Sequence, residues 1–225
     1  MHPTISLIIP AYNEQATIQR TLLSLCSCEQ LQQLQTELLV VNDGSEDDTE
    51  QLALPFADRV LSLPQNRGKG EALQAGVEAA NGAFLVFLDA DLQESARHAY
   101  QLLKPVLEQE ADLSIAKLPP ARRKGGLGLV RKLASHGIWR LSGYRSTAPL
   151  SGQRAMTRQV MERIRTFSPG FGIEVGFTID AARDGFRITE VEVPFHHRES
   201  GRDWSGVLHR GKQFVAVGRT LWSKR

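Results

Sequence analysis

NRGKGEALQAGVEAANGAFLVFLDADLQ, Asn66 to Gln93, is the stretch from which the fold follows. A glycine-interrupted basic loop, Asn66 to Gly70, opens an amphipathic segment. Asn81-Gly82 turns the chain into a short apolar run, Ala83 to Leu88, which stops at Asp89-Ala90-Asp91 with Gln93 two places on. The order is loop, helix, turn, buried strand, then two carboxylates at the strand's C-terminal end. Open α/β sheets bind ligands at that edge. Two carboxylates a residue apart are costly to bury unless a cation lies between them. Hard divalent cations take oxygen ligands, and Mg²⁺ usually adds waters and phosphate oxygens. The stretch therefore predicts a site for a metal and a diphosphate. The plainer alternative is a helix start, with Asp91 as its cap and Asp89 in water.

Outward from this stretch, the 225 residues suffice for one large domain with a proper core. The net charge is only +2, yet basic residues crowd into Lys117–Arg145 and Arg198–Arg225 while acids crowd into Glu37–Glu50. A basic C-terminal half facing an acidic site suits an anionic substrate or surface. Cys26 and Cys28 are too close in sequence for a good mutual disulfide and have no neighbours to complete a zinc set. A reducing compartment is expected. Met1-His2-Pro3 leads straight into a strand-like run, so no signal peptide is expected, and no window is apolar enough to span a membrane.

Thr4 to Ile9 is β-branched and apolar, a buried parallel strand stopped by Pro10. Tyr12-Asn13-Glu14 follows, then a helical pattern over Ala16 to Cys26. Glu37 to Val41 is a second strand ending in Asn42-Asp43-Gly44-Ser45, with a short helix to about Leu54 capped by Ser45 or Asp47. Arg59 to Leu63 is a third. Three strands thus end in polar loops: Tyr12–Glu14, Asn42–Ser45 and Asp89–Gln93. Alternating β and α elements imply a mostly parallel sheet with all three loops on one edge.

By chemistry, Glu14 and Asp43 are acceptors for a base N–H or ribose hydroxyls. Tyr12 offers a ring for a base to stack on. Asp89 and Asp91 would hold a metal-bound diphosphate, and Lys69 could approach a phosphate or the sugar. Glu14 and Asp43 could also cap the helices that follow. Neither a Walker A loop nor a G-x-G-x-x-G after the first strand is present.

The set IIPAYNE, VVNDGSEDDT, NRGKGEALQAG and FLDADLQ closely resembles the family 2 glycosyltransferases of GT-A fold. Within them it is most similar to the branch of dolichyl-phosphate mannose synthases and bacterial polyprenyl-phosphate sugar transferases. The resemblance runs from Thr4 to about Gln93 and resumes from Leu150 to about Gly201. It implies an α/β GT-A fold, a Rossmann-like, mostly parallel sheet flanked by helices. Residues 1–116 would form a nucleotide-sugar half and 117–225 an acceptor-side half with a basic amphipathic tail. It places Pro10, Tyr12 and Glu14 around the base, Val41 and Asp43 on the base and ribose, and Asp89, Ala90 and Asp91 on the diphosphate and metal. Gln93 matches a further metal ligand of that branch. The usual paired Asp is Asn42-Asp43 here, which leaves UDP against GDP open.

The resemblance extends to later residues. Lys117 stands where relatives often carry a phosphate-reaching Arg. Ser151-Gly152-Gln153-Arg154-Ala155-Met156 resembles S-G-x-R-A-M, which lines the acceptor side and gives Arg154 an acceptor or phosphate role. Glu174 stands where an acid faces the reaction centre, as general base for hydroxyl acceptors; its bland alternative is a helix-start Glu. Arg198 matches a phosphate-contacting Arg; where the mannose synthases carry a Lys, Trp204 stands here, so either Arg202 substitutes for that Lys or the acceptor differs. His196, His197 and His209 are further metal-ligand candidates.

The remaining elements are read from pattern alone. Leu92 to Leu107 should be one helix, ended or kinked by Pro105 near Lys104. Asp112 to Ala116 and Ile188 to Phe195 should be strands, and Arg158 to Ile164 and Glu174 to Arg183 helices. Leu118 to Pro149 reads as an acceptor loop and a basic amphipathic helix, and the tail from Val207 carries Phe214, Val217, Leu221 and Trp222 on one side. Both suit a membrane surface or an anionic head group, or simply packing on the domain.

The expected activity is metal-dependent (Mg²⁺ or Mn²⁺), inverting transfer from a UDP- or GDP-sugar. Catalytic roles fall to Glu174, Asp91 and Arg198. The expected acceptor is a polyprenyl phosphate or other lipid at the cytoplasmic membrane face, met by a cytoplasmic, peripheral protein. A soluble or glycan hydroxyl acceptor and a non-catalytic nucleotide-sugar-binding module are the alternatives. No nucleic-acid partner is expected. A nucleotidyltransferase would show a Gly- and Arg-rich loop after the first strand, unlike Pro10-Ala11-Tyr12-Asn13.

Overall fold

The computed structural model describes residues 5–119, 128–164, 172–196 and 204–224, the last helix by its backbone alone over 204–213. Seven strands form one sheet: β1 (Ile5–Ala11), β2 (Thr36–Asn42), β3 (Arg59–Ser62), β4 (Phe84–Phe87), β5 (Leu113–Lys117), β6 (Arg154–Thr157) and β7 (Ile188–Glu192). Their spatial order is β3-β2-β1-β4-β6-β5-β7. All neighbours pair parallel except β6, which runs antiparallel to β4 and β5. The mostly parallel sheet expected from the βα alternation is therefore present, with one reversed strand inside it.

The strands read as continuous apolar runs because both faces are covered. In β1, Ile5, Leu7 and Ile9 enter a core on one face with α1 (Ile18–Cys26) and α5 (Ala99–Leu107). Ile8 enters the opposite core with α4 (Lys69–Ala79), α7 (Arg158–Ile164) and α8 (Ile173–Arg183). Short helices α2 (Glu29–Gln32) and α3 (Thr49–Ala53) complete the first half. Glu37, grouped by sequence with the acids of the second loop, lies at the opposite edge instead. There its carboxylate accepts from the Ser6 hydroxyl and the Asn81 N–H.

Three elements differ from expectation. The helix expected over Leu92–Leu107 is a 3-10 turn, Gln93–His98, followed by α5. Pro105 sits inside α5 and does not end it at Lys104. So near the C-terminus it costs one hydrogen bond at most. The motif 151–156 runs into β6 (Arg154–Thr157), a strand too short and too mixed to show a period. The helix expected to be amphipathic over Glu174–Arg183 is α8, buried on both sides: Phe177 and Ala181 join one core, Val175 and Ile179 another.

That third core joins α8 to α6 (Gly128–Ser142) and α9 (Trp204–Ser223) through Val130, Ala134, Ile138 and Val217. Gly137 leaves room for Leu221, whose side chain occupies the space a Cβ would take. Beyond α9, Lys224 pairs with Asp180 of α8. The tail helix thus packs on the domain through Val217 and Leu221. Phe214 and Trp222, expected on that same side, are exposed. No helix among the described residues is long and apolar enough to cross a membrane.

Candidate active site

The ends of β1, β2 and β4 meet on one edge. Because β6 runs the other way, the residues before it, Ser151 to Gln153, reach that edge as well. There they meet Asp89. Lys69 Nζ donates to Asp89 Oδ1 at 2.6 Å, and Gln153 Nε2 donates to Asp89 Oδ2 at 2.5 Å. Lys69 Nζ also lies 3.9 Å from Glu174 Oε1, whose side chain is 14% exposed. Burial weakens the Lys69 ammonium, but the facing charges of Asp89 and Glu174 outweigh it and hold its pKa above the ordinary lysine value. Gly152 is confined: a Cβ there would fall on Lys69 Nζ, 3.5 Å from Glu174 Oε1 and 3.6 Å from Asp89 Oδ1.

The turn that carries the two aspartates is clamped from α1. The Thr21 hydroxyl donates to the Ala90 carbonyl at 2.8 Å and accepts the Gln93 N–H at 2.8 Å. Gln93 adopts φ 49°, a left-handed conformation that is costly for a side chain with a Cβ. Its amide oxygen accepts from Arg20 at 3.5 Å. Asp91 is half-buried on the same turn. Among the described residues, no cluster of three or more His, Cys, Asp and Glu side chains is arranged to hold a metal. The side chains of Asp89, Asp91 and Gln93 offer hard oxygens, the donor type that Mg²⁺ and Mn²⁺ take.

The other two loops are built around hydrogen bonds to carboxylates. Asp43 accepts the backbone N–H groups of Arg67 and Gly68, each at 2.8 Å, so it holds the basic loop in front of α4. Gly44 at φ 69° lies so close to the Gln65 backbone that a Cβ would come within 2.5 Å. Glu14 accepts the Thr17 hydroxyl at 2.7 Å at the start of α1, and its backbone N–H donates to Thr49. Tyr12 is exposed beside these loops. Pro10 pairs across from Val41. Val41 is fully buried, so its side chain belongs to the core and any ligand contact is through its main chain. Ala90 is likewise buried, with its carbonyl on Thr21. Asn42 donates to Glu50 at 2.9 Å and accepts from Ser45. An aspartate at 42 would face Glu50 as a like charge, which accounts physically for the asparagine.

Two expected contacts take a different place. Arg154 is 2% exposed. Its guanidinium donates to the carbonyls of Ser151 (3.1 Å) and Glu174 (2.9 Å) and lies 5.4 Å from the Phe177 ring centroid. A group so enclosed positions the Ser151–Gln153 segment and the first turn of α8. Burial pushes its pKa down to about 10 against the opposing pull of Glu174, Tyr144 and Glu190. Lys117 extends from the end of β5 to Glu192 of β7 at 2.7 Å, an exposed pair between neighbouring strands and not a contact with the Asp89 turn. Arg198, Arg202 and His197 lie outside the described residues, as does the side chain of His209. His196 donates its backbone N–H to Ser95.

Thr21 and Gln153 were not singled out for these contacts in the sequence. Thr21 sits mid-helix, where threonine is an ordinary residue. Gln153 occupies the variable place of its motif. Only the reversed β6 brings it to Asp89.

The chain matches the family described as Glycosyl transferase family 2 over residues 6–170. The glucosyl-3-phosphoglycerate synthase of Mycobacterium tuberculosis is 32% identical, over 79% of this chain and 60% of its own length. The bactoprenol glucosyl transferase of Shigella phage SfV is 29% identical, over 72% of this chain and 54% of its own. This chain therefore spans about three fifths or less of these relatives. A crystal structure of the mycobacterial synthase in complex with Mn²⁺, UDP-glucose and phosphoglyceric acid matches with a TM-score of 0.80 at 32% identity. The match covers 99% of this chain and 79% of that one.

Proposed function

The chain belongs to glycosyl transferase family 2, and we propose that it moves a sugar from a UDP-sugar to a phosphate-bearing acceptor with the help of Mg²⁺ or Mn²⁺. The observation that carries this is the convergence of Lys69 and Gln153 on Asp89, with Glu174 facing the same Lys69 ammonium, beside Asp91 and Gln93 at the C-terminal edge of the parallel strands. Support for the base and cation comes from the mycobacterial synthase, whose structure holds Mn²⁺ and UDP-glucose.

Asp91 and Gln93 would hold the cation, with Asp89 adjacent. Both Asp89 oxygens already carry a donor, so its remaining lone pairs suit a sugar or ribose hydroxyl. A bound cation offsets charge on the departing diphosphate. Lys69 keeps a positive charge at the same place. Asp43 and Glu14 frame the loops on which Tyr12 would stack the base. Arg198 and Arg202 are assigned to phosphate by their motif alone.

Two acceptors share the phosphate. A hydroxyl on a small phosphorylated compound is favoured by Glu174, a carboxylate facing the centre that could take the hydroxyl proton. A polyprenyl phosphate is favoured by the charge of α6 and α9, and would itself be the nucleophile. Thermal shift with UDP-, GDP- and TDP-sugars, each with and without Mn²⁺, tests the donor. The expected outcome is stabilisation by a UDP-sugar that needs metal and that Asp91→Ala removes. Metal-independent stabilisation, or a preference for GDP-sugars, would refute it. Glu174→Gln then separates the acceptors: it should nearly abolish transfer to a hydroxyl and slow transfer to a lipid phosphate only modestly.

A further inference from the structure

Helices α6 and α9 together contain six Lys and Arg residues and no Asp or Glu. They also hold five of the eight exposed large apolar side chains among the described residues: Leu129, Trp139, Phe214, Val215 and Trp222. One core ties the two helices together on the side away from solvent. On the outer face of α6 is a groove of about 580 Å³ against the Arg145–Thr147 loop. Arg131, Lys132, His136, Trp139 and Arg145 line it, and none of its lining residues is acidic. Trp139 is 43% exposed, and Leu129, ten residues earlier on α6, is 74% exposed. One sheet carboxylate, Glu190 of β7, stands behind the loop and accepts from the hydroxyls of Ser146 and Thr147 and from backbone N–H groups.

We propose that this face of α6 is a membrane-docking surface, on which the groove takes the phosphate head group of an anionic lipid while Trp139 and Leu129 enter the interfacial layer. Charge complementarity selects a bilayer. Cations without intervening acids draw in an anionic surface. Exposed aromatic and aliphatic side chains on the same helix have a use at a lipid interface that a soluble anion would not give them. The surface serves the polyprenyl-phosphate acceptor reading, but its test does not depend on sugar transfer.

The experiment is co-sedimentation of the full chain with vesicles of phosphatidylcholine alone and of phosphatidylcholine with phosphatidylglycerol. Binding to the anionic vesicles only, released by salt, is expected. Arg131→Gln with Lys132→Gln should weaken it roughly tenfold or more, and Trp139→Ser should weaken it further. Donor- and metal-dependent thermal shift in the same variants should stay as in the wild type. That readout keeps misfolding apart from loss of docking, and the donor reading apart from this one. Three results would overturn the proposal: equal binding to neutral vesicles or none, variants that bind like wild type, or sedimentation showing α6 buried between two copies. Binding of inorganic phosphate that the same variants abolish, without vesicle binding, would overturn it in favour of a soluble anion site.

Discussion

Gln153 donates its carboxamide N–H to Asp89 Oδ2 at 2.5 Å, while the other oxygen is held by Lys69. The two donors come one from each half of the chain and fix the orientation of one carboxylate. Gln153→Ala removes a hydrogen bond to a charged group, worth about 1.5–3 kcal/mol. Donor turnover should then fall roughly tenfold to a hundredfold. Gln153→Glu should fall further, because it sets a carboxylate against Asp89. Steady-state rates with a UDP-sugar check this, and a Glu variant as active as wild type would show that the orientation of Asp89 is unimportant.

Thr21 should matter through the metal turn. Thr21→Val keeps the shape but leaves the Ala90 carbonyl and the Gln93 N–H without the hydroxyl they share. Leaving such groups unsatisfied costs about 1–3 kcal/mol. Gln93 would also lose what holds it in a left-handed conformation. Urea denaturation should register the stability loss, and Mn²⁺ titration of the donor-induced thermal shift should register a weaker metal response. Unchanged metal dependence would remove Thr21 from the role.

Gly152→Ala tests the crowding around Lys69. The new methyl group would occupy the position of Lys69 Nζ, the movable end of a flexible chain. Lys69 should therefore give way and leave Asp89. The expected result is a modest change in melting temperature with a large loss of donor response. A variant that loses both equally would point to collapse of the segment.

The pH response should be visible at the base of β5 and β7. Arg187 forks Asp112, with Nη2 to Oδ1 at 2.8 Å and Nε to Oδ2 at 3.1 Å, and its backbone N–H adds a third donor at 2.8 Å. The Arg187 side-chain bonds hold the Asp112 carboxyl below its ordinary value of 3.8, with burial opposing them. A depressed carboxyl stabilises the fold above the unfolded value and loses that contribution as pH falls through the folded one. Asp112→Asn should thus lower the urea midpoint at neutral pH, and the gap to wild type should close as the pH is taken below 3.8. A gap that persists at acid pH would mean the loss is one of packing.

Much of the first half was legible because each signal is local. The apolar runs of β1, β2 and β4 are contiguous in the sequence, and the polar residues that end them follow directly. A parallel sheet must then bring Tyr12, Asp43 and Asp89 to one edge, whatever the details of packing. The motif order also sufficed to recognise the family.

The second half was less legible. A four-residue strand such as β6 has no period to read, and its direction is set by which neighbours it pairs with. That direction brings Gln153 and Gly152 to Asp89, and encloses Arg154 where a motif suggests an acceptor contact. Thr21 is separated by some seventy residues from the turn it clamps, and hydrogen bonds across such distances leave no pattern in either segment. The chain by itself determined which residue types stand at the ends of its strands, because strand and turn propensities act between near neighbours. Tertiary structure decided which of those residues face one another, because burial and hydrogen-bond satisfaction are settled only when distant segments share one edge of the sheet.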